Sequence, residues 1–195
     1  MSADDAIQEA IERGRESRLN AAVAILVALT ATFMALCNVK DGNIAQAMAE
    51  AQAKTVDTWS YYQAKSTKQS LAEGTVDQLR ALRLVAAPEM RASIDQSISD
   101  YATRVQRYEH EKNEIKAQAE QYQKRYTDLN LHDDQFDLSD AALSVSIALF
   151  GITALTRKRW LLGVAIVFML FGVFFGIAGF AGWSIHPDRL MNWLS

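Results

Sequence analysis

Residues 160–187, WLLGVAIVFMLFGVFFGIAGFAGWSIHP, contain no Asp, Glu, Lys or Arg. A helix needs about 20 apolar residues to cross the hydrocarbon core of a bilayer, so this stretch predicts a transmembrane helix over residues 160–185. Two other stretches also lack charge: 19–39, of 21 residues, and 141–156, of 16 residues. We therefore predict further transmembrane helices over 19–39 and 138–156, the second of which is short for a span.

Polar residues are collected between the first two predicted spans. Although 50% of the 195 residues are hydrophobic, the mean hydropathy of the chain is −0.06. Residues 41–140 carry 12 Lys or Arg and 17 Asp or Glu, a net charge of −5 (12 − 17). The bases are interleaved with the acids, whereas a nucleic-acid surface needs clustered Lys and Arg. The composition predicts an acidic insert outside the membrane at residues 40–137 and argues against nucleic acid as a partner.

Two basic clusters predict the orientation of the chain, because short basic loops stay on the cytoplasmic side of a membrane. They are the turn formed by Arg157, Lys158 and Arg159, and the group before the first span formed by Arg13, Arg15 and Arg18. Both clusters predict the same orientation of the chain in the membrane. We therefore expect the amphipathic N-terminal segment, residues 1–18, and the turn, residues 157–159, to be cytoplasmic. The insert and the tail, residues 186–195, are then outside.

The insert is predicted to be a helical hairpin with arms at about 43–84 and 88–131. In the second arm, apolar side chains recur every four and three residues in alternation, as in a coiled coil. The seam positions are Ile94, Ile98, Tyr101, Val105, Tyr108, Lys112, Ile115, Ala119, Tyr122, Tyr126 and Leu129. Pro88 suits the first turn of a helix and predicts the reversal between the arms. The expected fold is all-α, with three transmembrane helices and a long antiparallel coiled-coil hairpin outside the membrane.

The seam of the first arm is less regular than that of the second. It includes Trp59 and Tyr62 but then passes through Ser66 and Gln69. Buried tyrosine hydroxyls need hydrogen-bond partners, so we expect a partly wet seam, or one shared with another chain in a homo-oligomer or larger membrane complex. The candidate interface residues here are Trp59, Tyr61, Tyr62, Tyr101, Tyr108, Tyr122 and Tyr126. For the Trp–Tyr stretch, packing and recognition of a ligand or partner are the two alternatives.

The third span carries a face of small residues. Gly172 and Gly176 form a G-x-x-x-G pair, and Gly179 continues the same face. Such a face lets another transmembrane helix approach closely. That helix can be the first or second span of the same chain, or a helix of another subunit, so the three glycines are a further candidate for an assembly interface.

One imidazole and four carboxylates lie within nine residues beside the second span: His132, Asp133, Asp134, Asp137 and Asp140. Hard cations favour carboxylate oxygens, but this spacing matches no calcium-binding loop. The alternative is a solvated flank in which Asp137 or Ser139 caps the second span. Because the sequence shows no phosphate-binding glycine loop, nucleophile elbow or metalloprotease pattern, we predict no catalytic residue, cofactor or metal.

Cys37 is the only cysteine and ends the first apolar run. It excludes an intramolecular disulfide, and we interpret it as a packed small hydrophobe. Lipidation and a reactive thiol are the alternatives, although a lipoprotein signal needs a small residue where this chain has Leu36. A cleaved signal peptide usually has an apolar region of about 7 to 15 residues, so the longer run here favours a retained anchor.

The stretches 57–66, DTWSYYQAKS, and 154–161, ALTRKRWL, are distinctive. Both resemble a family of small bacterial membrane proteins known only as a domain of unknown function, family 4337, and they occur in that family's usual order. The resemblance implies a bacterial inner-membrane location. The outer side predicted above for the hairpin and the C-terminus is then the periplasm. It supplies no activity.

The preferred functional prediction is a non-enzymatic scaffold or accessory subunit that oligomerises or binds a membrane partner through the hairpin. A small oligomeric channel is the alternative, because several copies could line a path with polar residues of the first two spans. These residues are Asn20, Thr30, Thr32, Asn38, Ser144, Ser146 and Thr153.

Overall fold

The computed structural model describes residues 3–183 and residue 185. Over these residues the chain forms three α-helices and no strand: α1 (Ala3–Val85), α2 (Pro88–Thr156) and α3 (Arg159–Ala181). The all-α class is therefore confirmed. The predicted tail at 186–195 lies outside the described residues, and so does the side chain of Arg13.

Each helix contains a stretch that is long and apolar enough to cross a membrane. The mean hydropathy of that stretch is 2.2 in α1, 1.7 in α2 and 2.7 in α3. Large apolar side chains of α3, such as Val167 and Leu170, are exposed on its surface, as expected where lipid replaces water around a helix. Within the described part of the chain, these three candidate spans fit a multi-pass membrane protein.

The described residues divide into two compact units. Unit 1 contains the residues up to Ala47 and those from Asp128 onward, and unit 2 is Met48–Thr127. In unit 1, each helix contributes one buried side chain to a common core, namely Val23 of α1, Phe150 of α2 and Ala165 of α3. Leucines and other apolar residues of all three helices pack around this core, so unit 1 is a three-helix bundle.

Unit 2 is an antiparallel pair formed by the C-terminal half of α1 and the N-terminal half of α2. Helix α1 ends at Val85 and α2 begins at Pro88, whose fixed φ angle suits the first position of a helix. The N–H of Met90 donates to Ala87 O at 3.0 Å. Glu89 lies in the first turn of α2, where its charge complements the helix dipole. The chain thus reverses within two residues.

The other two helix ends are closed by residues in the left-handed region. Arg157, with φ 57°, links α2 to α3, and its N–H donates to Thr153 O at 2.8 Å. Gly182, with φ 68°, follows α3, and Ala178 O accepts from the N–H groups of Gly182 and Trp183. A glycine at this position avoids the steric cost that a side chain would add.

The expected cap of the second span is absent from the structure. Asp137 and Ser139 lie inside α2, which runs without interruption from Pro88 to Thr156. The N–H groups near residue 139 therefore already have carbonyl partners one turn earlier, and neither side chain has a free N–H group to cap. The interpretation of Asp137 or Ser139 as a cap was wrong, because the hairpin arm and the span are one continuous helix.

Candidate functional site

The small-residue face of α3 is filled by the chain's own helices. A Cβ atom added to each glycine would approach a side chain of α1 or α2 too closely: Gly172 with Leu143 Cγ at 2.7 Å, Gly176 with Phe33 Cε1 at 2.7 Å, and Gly179 with Phe136 Cζ at 2.8 Å. Carbon atoms in ordinary contact are about 3.5–4.0 Å apart. Of the two alternatives stated for this face, packing within one chain is therefore the one observed.

Two buried serines of α2 tie it to α3. Ser139 Oγ donates to Gly172 O at 2.8 Å, and Ser146 Oγ donates to Ala165 O at 2.9 Å. Cys37 of α1 is fully buried, with its Sγ 3.9 Å from Ser139 Oγ. Because hydroxyl groups are costly to bury without partners, these bonds fix the register between the two helices.

Gln135 is a buried polar residue that the sequence pattern did not single out. Its Nε2 donates to Trp183 O and to Ile185 O, both at 2.8 Å. Both carbonyls follow the end of α3, and Trp183 O also accepts from the N–H of Ile185 at 2.9 Å. The Gln135 amide thus fixes the path of the chain just after the end of α3. In the sequence, Gln135 is a single amide within a stretch rich in Asp. This pattern did not distinguish Gln135 from a solvated residue.

The acidic stretch of α2 meets a carboxylate of α1. Burial raises the pKa of Asp133 to about 6, and the charges of Asp41 and Asp137 act in the same direction. Burial and the charge of Asp41 also raise the pKa of Asp137. Asp41 Oδ1 is buried and has no hydrogen-bond partner among the described residues. Carboxylates from two helices therefore face one another, and protonation relieves their repulsion.

The other members of the acidic stretch have neighbours of their own. With its amide nitrogen turned toward the carboxylate, Asn38 donates to Asp140 Oδ1 at 3.1 Å. His132 Nδ1 lies 3.4 Å from Gln135 Oε1, and Asn130 donates to Asp134 Oδ2 at 3.2 Å. Among the side chains that the structure describes, no group of three or more His, Cys, Asp or Glu is arranged to hold a metal ion. These contacts are local polar packing.

In unit 2 the centre of the seam is a polar layer. Gln69 donates to Glu109 Oε2 at 2.7 Å, and Lys112 donates to Gln69 Oε1 at 2.9 Å. Lys112 also lies 3.1 Å from Glu109 Oε2. The hydrogen bonds from Lys112 and Gln69 lower the pKa of Glu109. The two seam residues that looked unfavourable in the sequence therefore bond to each other across the two arms.

A second ion pair joins the arms next to this layer. Lys65 donates to Glu111, and its side chain is only 13% exposed. This hydrogen bond raises the pKa of Lys65 and lowers that of Glu111. The Lys65 ammonium also lies over the rings of Tyr61 and Tyr108, at 5.4 and 5.5 Å from their centroids. One partly buried cation thus contacts two of the candidate tyrosines.

The remaining candidate aromatics lie along the same hairpin. Trp59 and Tyr62 contact each other edge to face, with centroids 5.4 Å apart. Cations stack on the rings of Tyr62, Tyr101 and Tyr122: Lys112 at 5.9 Å, Arg104 at 4.8 Å and Lys54 at 5.7 Å. Trp59, Tyr62, Tyr101, Tyr108, Tyr122 and Tyr126 are partly buried, and Tyr61 is exposed. Unit 2 therefore contains an aromatic stripe that the hairpin covers incompletely.

The family model described as Domain of unknown function (DUF4337) matches residues 19–182. The match covers 164 of the 195 residues (182 − 18). The chain belongs to the DUF4337 family. This confirms the resemblance carried by stretches 57–66 and 154–161. No curated protein and no solved structure matches this DUF4337 chain.

Polar residues of the first two spans of the DUF4337 chain are largely occupied within the chain. Thr32 and Thr153 donate to the carbonyl oxygens four residues earlier, both at 2.8 Å. Ser146 donates to α3 as described above, and Ser144 Oγ lies 4.0 Å from Met34 Sδ. Thr30 Oγ1 is buried and has no partner among the described residues. Thr32 and Ser144 are exposed, whereas Thr30, Ser146 and Thr153 are buried.

The basic turn of the DUF4337 chain contacts its N-terminal segment. Arg157 Nη1 lies 2.5 Å from Glu16 Oε1. Lys158 precedes α3 with extended backbone, and Arg159 is the first residue of that helix. All three side chains are exposed. Arg157 and Arg159 of the turn also line a common hollow with Arg15 of the other basic cluster.

Proposed function

We propose that this DUF4337 chain is a non-enzymatic scaffold or accessory subunit of the bacterial inner membrane that assembles through its hairpin. The observation that carries the proposal is the thin core of unit 2. Its buried apolar and polar side chains are Ala51, Thr55, Ala72, Val76, Ile94, Ile115 and Ala119. None of these is aromatic, whereas the large aromatic residues of the seam stay partly exposed. A further helix or a second hairpin would complete this core.

Apolar side chains on the outer surface of unit 2 support the same proposal. Leu71 is 72% exposed in the middle of the first arm. At the reversal, Leu84 and Val85 are 79% and 82% exposed, and Met90 is 59% exposed. Clustered apolar side chains of this size mark contact surfaces. The preferred partner is a second copy of the chain, because the incomplete seam of one hairpin would then be covered by the same seam of the other hairpin.

The proposal includes a topology in which the hairpin is an antiparallel coiled coil in the periplasm. It is supported by the heptad seam, by the ion pairs between the arms, and by the positive charges around residues 157–159. The N-terminus and the 157–159 turn are cytoplasmic in this arrangement. A periplasm-dependent reporter fused after Arg83 is expected to be active. An inactive reporter at Arg83, with an active one after Lys158, would reverse the topology.

Copy number tests the assembly. The full chain, extracted in mild detergent, is expected to contain more than one copy per particle by light scattering. The change of Trp59 and Tyr62 to Ala should lower the copy number, because it removes the largest side chains of the incomplete seam. The matched control is Gln63→Ala, an exposed neighbour that should leave the copy number unchanged. A wild-type monomer over a wide concentration range contradicts self-assembly.

The same variants separate packing from recognition. If the double variant keeps its copy number but loses a protein that copurifies from native membranes, the Trp–Tyr stretch serves recognition by an accessory subunit. Ion flux through proteoliposomes made with the same preparation tests the channel alternative. Flux that disappears with Thr30→Val or Ser144→Ala would favour a permeation pathway over a scaffold.

A further inference from the structure

An open groove lies between the start of α3 and the part of α1 that precedes the predicted first span. Its volume is about 410 Å³, and it is lined by Arg15, Arg18, Leu19, Arg159 and Leu162. A smaller hollow of about 170 Å³ shares Arg15, Leu19 and Arg159 with it. Binding sites for small molecules commonly have volumes of about 300–1,000 Å³, so the larger groove can hold a compact ligand.

The lining of the larger groove carries three positive charges. Arg15 and Arg18 come from α1 and Arg159 comes from α3, so the fold brings together residues more than 140 positions apart. The nearby carboxylate of Glu16 is bound by Arg157. All three lining arginines are exposed and able to turn toward a ligand. The groove therefore favours an anion.

The guanidinium group favours one class of anion. Its planar fork of N–H donors matches the paired oxygens of phosphate better than a lysine ammonium does. The groove also has an apolar side, formed by Leu19 and Leu162. Leu19 is the first residue of the apolar run 19–39, and Leu162 lies in the first turn of α3. Charge and apolar surface thus meet where two predicted spans begin.

We infer that this groove binds the phosphate group of an anionic membrane lipid. Arg15, Arg18 and Arg159 contact the headgroup, and Leu19 and Leu162 contact the first part of an acyl chain. Basic pockets between transmembrane helices provide such sites in membrane proteins. A free phosphate ion would use the arginines alone, whereas a lipid uses both sides of the groove. The site belongs to the three-helix bundle and does not depend on assembly through the hairpin.

The inference is tested by native mass spectrometry of the full chain in detergent with added phosphatidylglycerol or phosphatidylcholine. We expect phosphatidylglycerol to bind and phosphatidylcholine to bind more weakly. Arg159→Gln should weaken phosphatidylglycerol binding by about fivefold, the effect of one basic residue near an anionic surface. Arg15→Gln should weaken it by a similar factor. Arg159→Lys keeps the charge but loses the planar fork, so it should weaken binding less than Arg159→Gln does and still bind less tightly than the wild type.

Lys158→Gln is the matched control, because it removes an equal charge from the adjacent position, which does not line the groove. It should change the affinity by less than about twofold. Equal losses in Lys158→Gln and Arg159→Gln would show attraction by overall charge and would overturn the site. So would unchanged binding in Arg159→Gln, or equal binding of the two lipids. Full competition by millimolar inorganic phosphate would assign the groove to a free anion instead of a lipid.

Discussion

The hydroxyl of Ser139 on α2 donates a hydrogen bond to the carbonyl oxygen of Gly172 on α3. This bond exists because Gly172 has no side chain to hold the helices apart. The distance of 2.8 Å is ordinary for a hydroxyl donor. The hydrogen bond therefore depends on the close approach of the two helices. The bond and the close approach can be tested by separate substitutions.

Ser139→Ala should lower the stability of the bundle by about 0.6 kcal/mol and by no more than about 1.7 kcal/mol, the range of hydrogen bonds between membrane helices. Unfolding in mixed micelles by a denaturing detergent measures the loss. Thr156→Ala is a suitable control, since the Thr156 hydroxyl bonds within its own helix and is exposed. An equal loss in both variants would show that the bond between helices contributes nothing special.

Gly172→Ala should destabilise the chain by about 1–3 kcal/mol, the usual cost of overpacking. The new Cβ would lie 2.7 Å from Leu143 Cγ and 3.0 Å from Ser139 O. Leu143 can move but the backbone oxygen cannot, so the helices must separate. Gly163→Ala on the same helix meets no atom within 4 Å, and it should be neutral or slightly stabilising. A neutral Gly172→Ala would contradict the packing described here.

The raised pKa of Asp133 makes stability depend on pH. An aspartate in an unfolded chain titrates near 3.9, whereas Asp133 titrates at about 6 in the folded protein. The folded state therefore holds more protons between these values, and stability falls as pH rises from about 4 to about 6. Asp133→Asn should flatten this fall and raise the unfolding temperature at pH 7.

Asp128→Asn provides the comparison for that experiment, because Asp128 is an exposed carboxylate one turn earlier on α2. It should leave the pH profile of the unfolding temperature unchanged. An Asp133→Asn profile as steep as that of the wild type between pH 4 and 6, or a lower unfolding temperature for Asp133→Asn at pH 7, would refute the repulsion among Asp41, Asp133 and Asp137.

In the polar layer of the hairpin, the effects of Gln69 and Lys112 substitutions on stability should depend strongly on each other. Gln69→Leu alone leaves Lys112 and Glu109 without one partner and should lower stability. Changing Gln69 and Lys112 together to Leu should restore or exceed wild-type stability, because paired apolar residues can replace a polar pair at such positions. Chemical denaturation of the wild type, Gln69→Leu, Lys112→Leu and the double variant measures the coupling free energy. Additive effects would show that the two side chains act independently.

The sequence predicted the helical class and the candidate spans because composition and periodicity are local properties. The eleven seam positions from Ile94 to Leu129 are all buried or partly buried, since a repeat of four and three residues determines one face of a helix. The contact of Asp41 with the acidic stretch of α2 was not predictable in this way. It joins residues about 90 positions apart, and no local pattern specifies which carboxylates will meet.

Gln135 and Ser139 show a second limit. Ser139 was interpreted as a helix cap from its neighbours in the sequence, and Gln135 was not singled out at all. Their actual partners are carbonyl groups of α3 and of the residues that follow it. Such bonds depend on the packing of helices, whereas a cap depends on where a helix begins. The continuous helix α2 removes the cap and makes the side chains available for packing.

The bonds from Ser139 and Ser146 to α3 also have a consequence for biosynthesis. The chain is made from its N-terminus, so both serines are translated before their partners Ala165 and Gly172. Until then each hydroxyl must turn back to a carbonyl of its own helix. Helix α3 therefore supplies the carbonyl partners that let both hydroxyls bond between helices, and a chain truncated before α3 would keep these hydroxyls bonded within α2.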